Sequence, residues 1–527
     1  MTPVWVKSPV HALAVVVVLL LALAAASARP EGFARPADTL VVVSSEEAKS
    51  LDPHVTTSAS DFRILSQIYQ GLVTHQPGSL KYAPGLAERW ELSADDRFID
   101  FYLRRNVQFH DGTAFDAEAV RFNFERMLRA DHPYHHTGPF PLAFLFDKIR
   151  RVEVVASHHV RLHLSEPFAP LLSNLAYPSA YMVSPAAVRR HGKDFGRHGC
   201  GTGAFYVAAW NPNRALVLKR HAPLDRGLLR SIVYRPIGDP MTALTELHAG
   251  GADLLSEVPT DAVARLRRNP EFTTIETQGA HLWFLILNIR AAALRDVRVR
   301  RALNHAVNRE HLVRHVLQDT ALPAKGLIAD VFLDQDRRGK DPYPFDPERA
   351  RALLADAGVA LPLPLHLVVP TSGSGMLEPE LMATALQADL RAVDVHVTIT
   401  TMEWNAYLAS VNAGLAPDVH MAAMAWMTND PDTLPALTLR SDAQPPKGFN
   451  SGWYANDRVD ALVEAARRSM DPSRRRALYR QLDALVVEEA PFLFVASYKQ
   501  NLALRSRFSG VRLSPSFLLD LTEARVH

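Results

Sequence analysis

Cysteine is nearly absent from the 527 residues: Cys200 stands alone. An internal disulfide is therefore impossible, and a thiolate-rich metal site is excluded. Blocks of one charge are missing too. The 58 basic and 56 acidic residues are interspersed and leave a formal net charge of +2. A nucleic-acid surface needs a clustered basic footprint, so the pattern argues against nucleic acid as the main partner. No internal repeat and no low-complexity linker interrupts the chain. Outside residues 12–26, no stretch is long and apolar enough to cross a membrane.

Catalytic signatures are also wanting. There is no GxxxxGK[ST] loop, no HExxH and no GxSxG. Gly199 to Ala204 fit the spacing GxGxxA, but a His-rich loop precedes them and the strand-like Phe205-Tyr206-Val207 follows. Dinucleotide binding needs the strand first and a helix after. The 22 histidines invite a metal reading at His135-His136, at His158-His159, and at His191, His198 and Cys200. None has a recognised ligand spacing, so solvated loop histidines and a small buried cysteine are the simpler reading. No catalytic residue, metal site or cofactor is expected.

What is present has the balance of a globular protein: 48% hydrophobic and 22% charged residues. The length suits about two or three packed units. At the N-terminus, Lys7, the apolar run 12–26 and Ala26-Ser27-Ala28 make a positive, an apolar and a small-x-small segment in order. This pattern predicts a signal peptide over 1–28, removed on export.

Beyond it, residues 39–43 read as a buried strand and 63–72 as a helix ending at Gly71. A hairpin is expected from 89–92 and 98–103, turning at Ala94-Asp95-Asp96. Asp116 caps a helix whose inward face is Val120, Phe124, Met127 and Leu128. Strands follow at 152–155 and 160–164. After Trp283 the pattern alternates. Strands are expected at 283–288, 365–369, 395–399 and 492–495, and helices begin at Asp296, Asp346-Pro347 and Asp471-Pro472. Such alternation predicts an α/β fold with helices on both faces of a sheet. Residues 419–425 read as a strand and Asn429-Asp430-Pro431-Asp432 as a turn. An aromatic followed by acids at a strand end suits either a ligand edge or a capping turn before Leu434.

Several segments together resemble the family 5 extracellular solute-binding proteins, the dipeptide, oligopeptide and nickel binders of ABC importers. They are Ser50-Leu51-Asp52-Pro53-His54, the runs 83–90, 103–113 and 115–120, Gly201-Thr202-Gly203, the run 296–304, Asn450 with Tyr454, and 459–462. The similarity spans nearly the whole chain beyond residue 28, in order. It implies a two-lobed periplasmic-binding-protein fold with a hinge and an extra subdomain inserted in lobe I. Lobe I is expected over 38–280, lobe II over 281–490, and a return to lobe I over 491–527, with crossings near Ala280 and Pro491.

The same resemblance places Glu47, Ala48 and Lys49 on one ligand edge and Ala425, Trp426 and Met427 on the other, with Phe284 and Trp404 around the cleft. Peptide binders of the family read tryptophan, two residues, aspartate, and that acid pairs with the peptide ammonium. Here Asn429 takes the position and Asp430 follows it. A neutral amide cannot supply a buried ion pair, so either Asp430 takes the role or the ligand carries no free amine there. The implied function is capture of di- or oligopeptides by a monomeric, non-enzymatic periplasmic protein. It would deliver them to permease subunits in the inner membrane. The alternatives are a non-peptide solute (nickel chelate, haem, opine or sugar) and, from another class, a periplasmic enzyme on the same scaffold.

Overall fold

The computed structural model describes residues 36–221, 225, 227–333, 341–373 and 375–527. The expected signal peptide, 1–28, lies outside the described residues. One sheet runs the length of the molecule. Its order is Val395–Met402, Leu363–Pro370, Met421–Met427, His281–Leu287, Phe492–Arg505, Leu254–Leu255, Thr39–Ser44, Ser231–Pro236, Ala215–Arg220, Phe205–Asn211.

Two groups of buried side chains divide this sheet. One draws on residues 40–272 and 502–524, the other on residues 282–498. They are called the first and second lobes below. Thr39–Ser44 is buried at all six positions because parallel neighbours flank it and elements cover both of its faces. Leu363–Pro370 and Val395–Met402 pair in parallel, as expected for strands joined by the helix Pro379–Arg391.

Two strand passages connect the lobes. Phe272–Gln278 pairs with the far half of Phe492–Arg505; the chain then passes Gly279 and Ala280 into His281–Leu287, which pairs with the near half. The second passage is Phe492–Arg505 itself, 14 residues long. Pro491 only opens that strand. Phe492 to Ala496 still pair within the second lobe, and Lys499 is the first to pair with the first lobe's strand. The expected return at 491 thus begins several residues later, because antiparallel pairing carries one strand straight through both lobes. Gly279 has a packing reason: a Cβ there would lie 2.1 Å from the Phe517 ring.

Within the first lobe, Ala87–Leu92, Phe98–Leu103, His159–Leu164 and Ile149–Ala156 form a separate antiparallel sheet. The expected hairpin is there, with Asp96 at φ +57° in its turn. The helix Ala117–Leu128 packs against it, capped by Asp116 through the Ala119 N–H at 2.9 Å. The helix expected over 63–72 runs instead over Ala59–Ile68. Ser58 caps its start, and the Gly203 N–H takes the Ile68 carbonyl at 2.8 Å. Gly201 and Gly203 are therefore packing glycines: a Cβ on either would lie 2.3 and 2.5 Å from carbonyl oxygens of Ile68 and Gln67. No phosphate cradle is needed to account for them. The caps at Asp296, Asp346 and Asp471 each accept from the first turn of their helix.

Candidate functional site

Ala425, Trp426 and Met427 end the strand Met421–Met427 beside the hinge. On one side they lie opposite Trp283, Leu282 and His281. On the other side Leu363–Pro370 pairs only with Met421 and Ala422, and the Tyr407 hydroxyl donates to the Ala423 carbonyl. Among the described residues no strand covers the outer edge of 425–427. An uncovered strand edge can accept another extended backbone.

Glu47, Ala48 and Lys49 follow Thr39–Ser44 in the first lobe. The Glu47 carboxylate accepts the Asn213 N–H at 2.7 Å and the Trp210 indole N–H at 3.3 Å. Ala48 is buried in the first core. The Lys49 N–H donates to Asp61 at 2.9 Å, while its ammonium sits 3.2 Å from Glu46 in solvent. Burial holds the Asp61 carboxyl above its usual range. The loop is thus braced from behind by its own lobe.

The two aromatic candidates separate. Phe284 is fully buried, its ring 4.6 Å from Phe492 in the second core. It lines no cleft, because the face of the strand it stands on is covered by a buried cluster that includes Phe492, Phe494 and Tyr407. Trp404 is half-buried, stacked 6.0 Å from Tyr407 and lying over Gly373. Gly375 in the same loop bonds His281 through its carbonyl at 3.1 Å and approaches the Ala425 methyl. Trp404, this loop and the 425–427 edge therefore meet. His281 stacks on Tyr498 at 4.2 Å, and burial pushes its pKa down to about 3, so the ring is neutral.

Asn429 and Asp430 are both buried. Asp430 receives two hydrogen bonds from Arg475, at 2.5 and 3.0 Å, and the Asp432 N–H at 2.8 Å. Ser173 of the first lobe donates to its other oxygen. Both oxygens of this carboxylate already accept two hydrogen bonds from the protein, which removes Asp430 as a ready partner for a ligand ammonium. Asn429 donates to the Ser173 carbonyl and the Asn174 amide oxygen, both at 3.3 Å. Asp432, also buried, lies against Arg467 at 3.3 Å and Tyr479 at 3.2 Å. Burial, opposed by Arg467 and reinforced by Asp430, raises its pKa to about 6.

Arg475, Ser173 and Asn174 were not anticipated. Arg475 does have a sequence signal: 475, 479, 482 and 486 fall on one helical stripe behind the Asp471 cap. Its neighbours Arg474 and Arg476 disguise it. Ser173 and Asn174 sit in the short helix Leu171–Leu175, which carries no mark of function in sequence.

Among the described residues, no group of three or more His, Cys, Asp or Glu could hold a metal ion. Burial pushes the Cys200 thiol up to about 12, the opposite of an activated thiolate.

Two lobes on one sheet, joined by two strands and meeting beside an uncovered strand edge, define a two-lobed binding protein. Residues 81–446 match the bacterial extracellular solute-binding proteins, family 5 Middle. The chain belongs to this family, whose members are binding proteins for transport. Over 509 residues it is 31% identical to di/tripeptide-binding protein 2 of Pseudomonas aeruginosa, covering 93% of this chain and 95% of that protein. It is 28% identical to the glutathione-binding protein GsiB of Salmonella choleraesuis, over 88% of this chain and 91% of the relative. The solved structure of HbpA2 from Haemophilus parasuis superposes with a TM-score of 0.84 at 25% identity, covering 93% of this chain and 100% of that one.

Proposed function

We propose that the protein captures short peptides between its lobes and hands them to an ABC permease in the inner membrane. The observation that carries this reading is the uncovered edge at 425–427, placed where the lobes meet and able to pair with an extended backbone. The di/tripeptide-binding and glutathione-binding relatives support the same ligand class. In this reading residues 1–28 are removed on export and the protein works in the periplasm as a monomer. The lobes divide as 38–280 and 281–490, and the strand Phe492–Arg505 carries the chain back to the first lobe, pairing there from Lys499 onward. Glu47, Ala48, Lys49, Trp404, Ala425, Trp426 and Met427 border the ligand, which leaves unchanged.

The test is incubation of ligand-stripped protein with a defined pool of di- and tripeptides, followed by mass spectrometry of the bound and free fractions. Intact peptides should be retained and none cleaved. Shortened peptides in the free fraction would turn the reading into an enzyme, and an empty bound fraction would remove peptides as the ligand class.

A further inference from the structure

The lobes touch each other directly, away from the two strands that join them. Contacts among the described residues make the junction. The Ala169 N–H donates to the Arg467 carbonyl at 2.8 Å. Arg468 meets Glu166 at 2.6 Å. The Arg467 guanidinium lies 5.2 Å over the Phe168 ring. Ser173 donates to Asp430. The Asn429 amide donates to both Ser173 and Asn174.

Apart from the exposed Arg468–Glu166 pair, the hydrogen-bonding side chains here are those of an interior. Ser173 and Asp430 are each 1% exposed, Asn174 3% and Asn429 7%. A buried polar group left without a partner is costly, and these partners stand on opposite lobes. Because Ser173 gives its proton to Asp430, the Tyr82 hydroxyl 2.6 Å away must donate to Ser173. A chain Tyr82–Ser173–Asp430–Arg475 thus runs from one lobe into the other with every proton assigned. Parting the lobes would break the Ser173, Asn429 and Ala169 bonds and admit water to the Asp430–Arg475 pair.

We propose that residues 166–174 and the segments 429–430 and 467–475 form an interlobe latch made by the protein alone, which populates the closed state without ligand. A ligand shifts a conformational balance only by its differential affinity for the two states. A protein-only latch moves the resting point of that balance, whatever the ligand proves to be.

The test uses the chain refolded from denaturant to free it of ligand, with small-angle scattering for lobe separation and hydrogen exchange at the Ala169 amide for the latch itself. The ligand-free wild type should scatter as a compact particle with a protected Ala169 amide. In the double variant Glu166→Ala, Ser173→Ala the particle should expand and the Ala169 amide should exchange at least tenfold faster. Amides of Thr39–Ser44 should keep their rates, which reports that the fold is intact. A ligand-free wild type already expanded, with a fast Ala169 amide, overturns the latch; so does a folded variant that matches the wild type in both measurements. Should the variant not fold, the two wild-type measurements decide alone.

Discussion

Two aspartate–arginine pairs in this molecule, each with a buried carboxylate, have different work to do. Asp52 and Arg126 lie wholly within the first lobe. Arg126 also donates to Thr137 at 2.9 Å, meets His54 at 3.4 Å, and has the Phe140 and Phe195 rings over it at 5.2 and 5.7 Å. Asp430 and Arg475 lie where the lobes meet, and one of their partners, Ser173, belongs to the other lobe. The chemistry is the same in both. The first pair can be hydrated only by unfolding the lobe, whereas the second can be hydrated by moving it. Position thus makes one pair a brace and the other a clasp.

The largest effect that tests this contrast is loss of the brace. Arg126→Met should destabilise the protein by about 3–5 kcal/mol, the cost of stranding one member of a buried pair. Chemical denaturation measures it, and a loss under about 1 kcal/mol would mean that water reaches Asp52 in the folded state. Asp430→Asn should cost less, about 2–3 kcal/mol, as for a charge-assisted hydrogen bond, because parted lobes let water solvate Arg475. A cost equal to that of Arg126→Met would erase the distinction.

Acid should act oppositely on the two neighbourhoods. Burial first, with help from Arg126, lowers the His54 pKa to about 4. The unfolded chain then gains a proton below pH 6.5 that the folded chain refuses. Stability is lost as pH falls through this window, by about 2 kcal/mol at pH 5. Asp432 beside the clasp is raised to about 6. Its folded state takes the proton first, so its contribution is present below the unfolded pKa and is lost as pH rises through 6. Going from pH 7 to pH 5 therefore returns about 1.4 kcal/mol at this site. Melting curves at the two pH values should show His54→Gln reducing the acid loss and Asp432→Asn enlarging it. The same sign for both variants would refute one of the two environments.

The smallest expected effect is on ligand charge. With Asp430 already neutralised by Arg475, a peptide and its N-acetylated form should bind within about twofold, since no uncompensated buried acid waits for the ammonium. Calorimetry giving a tenfold preference for the free amine would mean that Arg475 leaves Asp430 when ligand enters.

Much of the frame was legible in the sequence. The caps at Asp116, Asp296, Asp346 and Asp471, the hairpin turning at Asp96 and the alternation after Trp283 rest on local rules of dihedral preference and periodicity. Neighbours along the chain determine those rules. Ala425 to Met427 could be placed by resemblance because a strand end keeps its place in a family. Phe284 could not: period two tells which face a residue takes, but both faces of His281–Leu287 are covered, so an aromatic there is core.

By itself, then, the sequence determined most of the secondary elements and the family. The tertiary structure alone decided what Asp430 does. From residues 426–432 it reads either as a partner for a ligand ammonium or as a cap for the turn before Leu434. Its partners Arg475 and Ser173 are 45 and 257 positions away. Hydrogen bonds and ion pairs reach only a few ångströms, so the meaning of a buried charge depends on which distant residues folding brings within that reach.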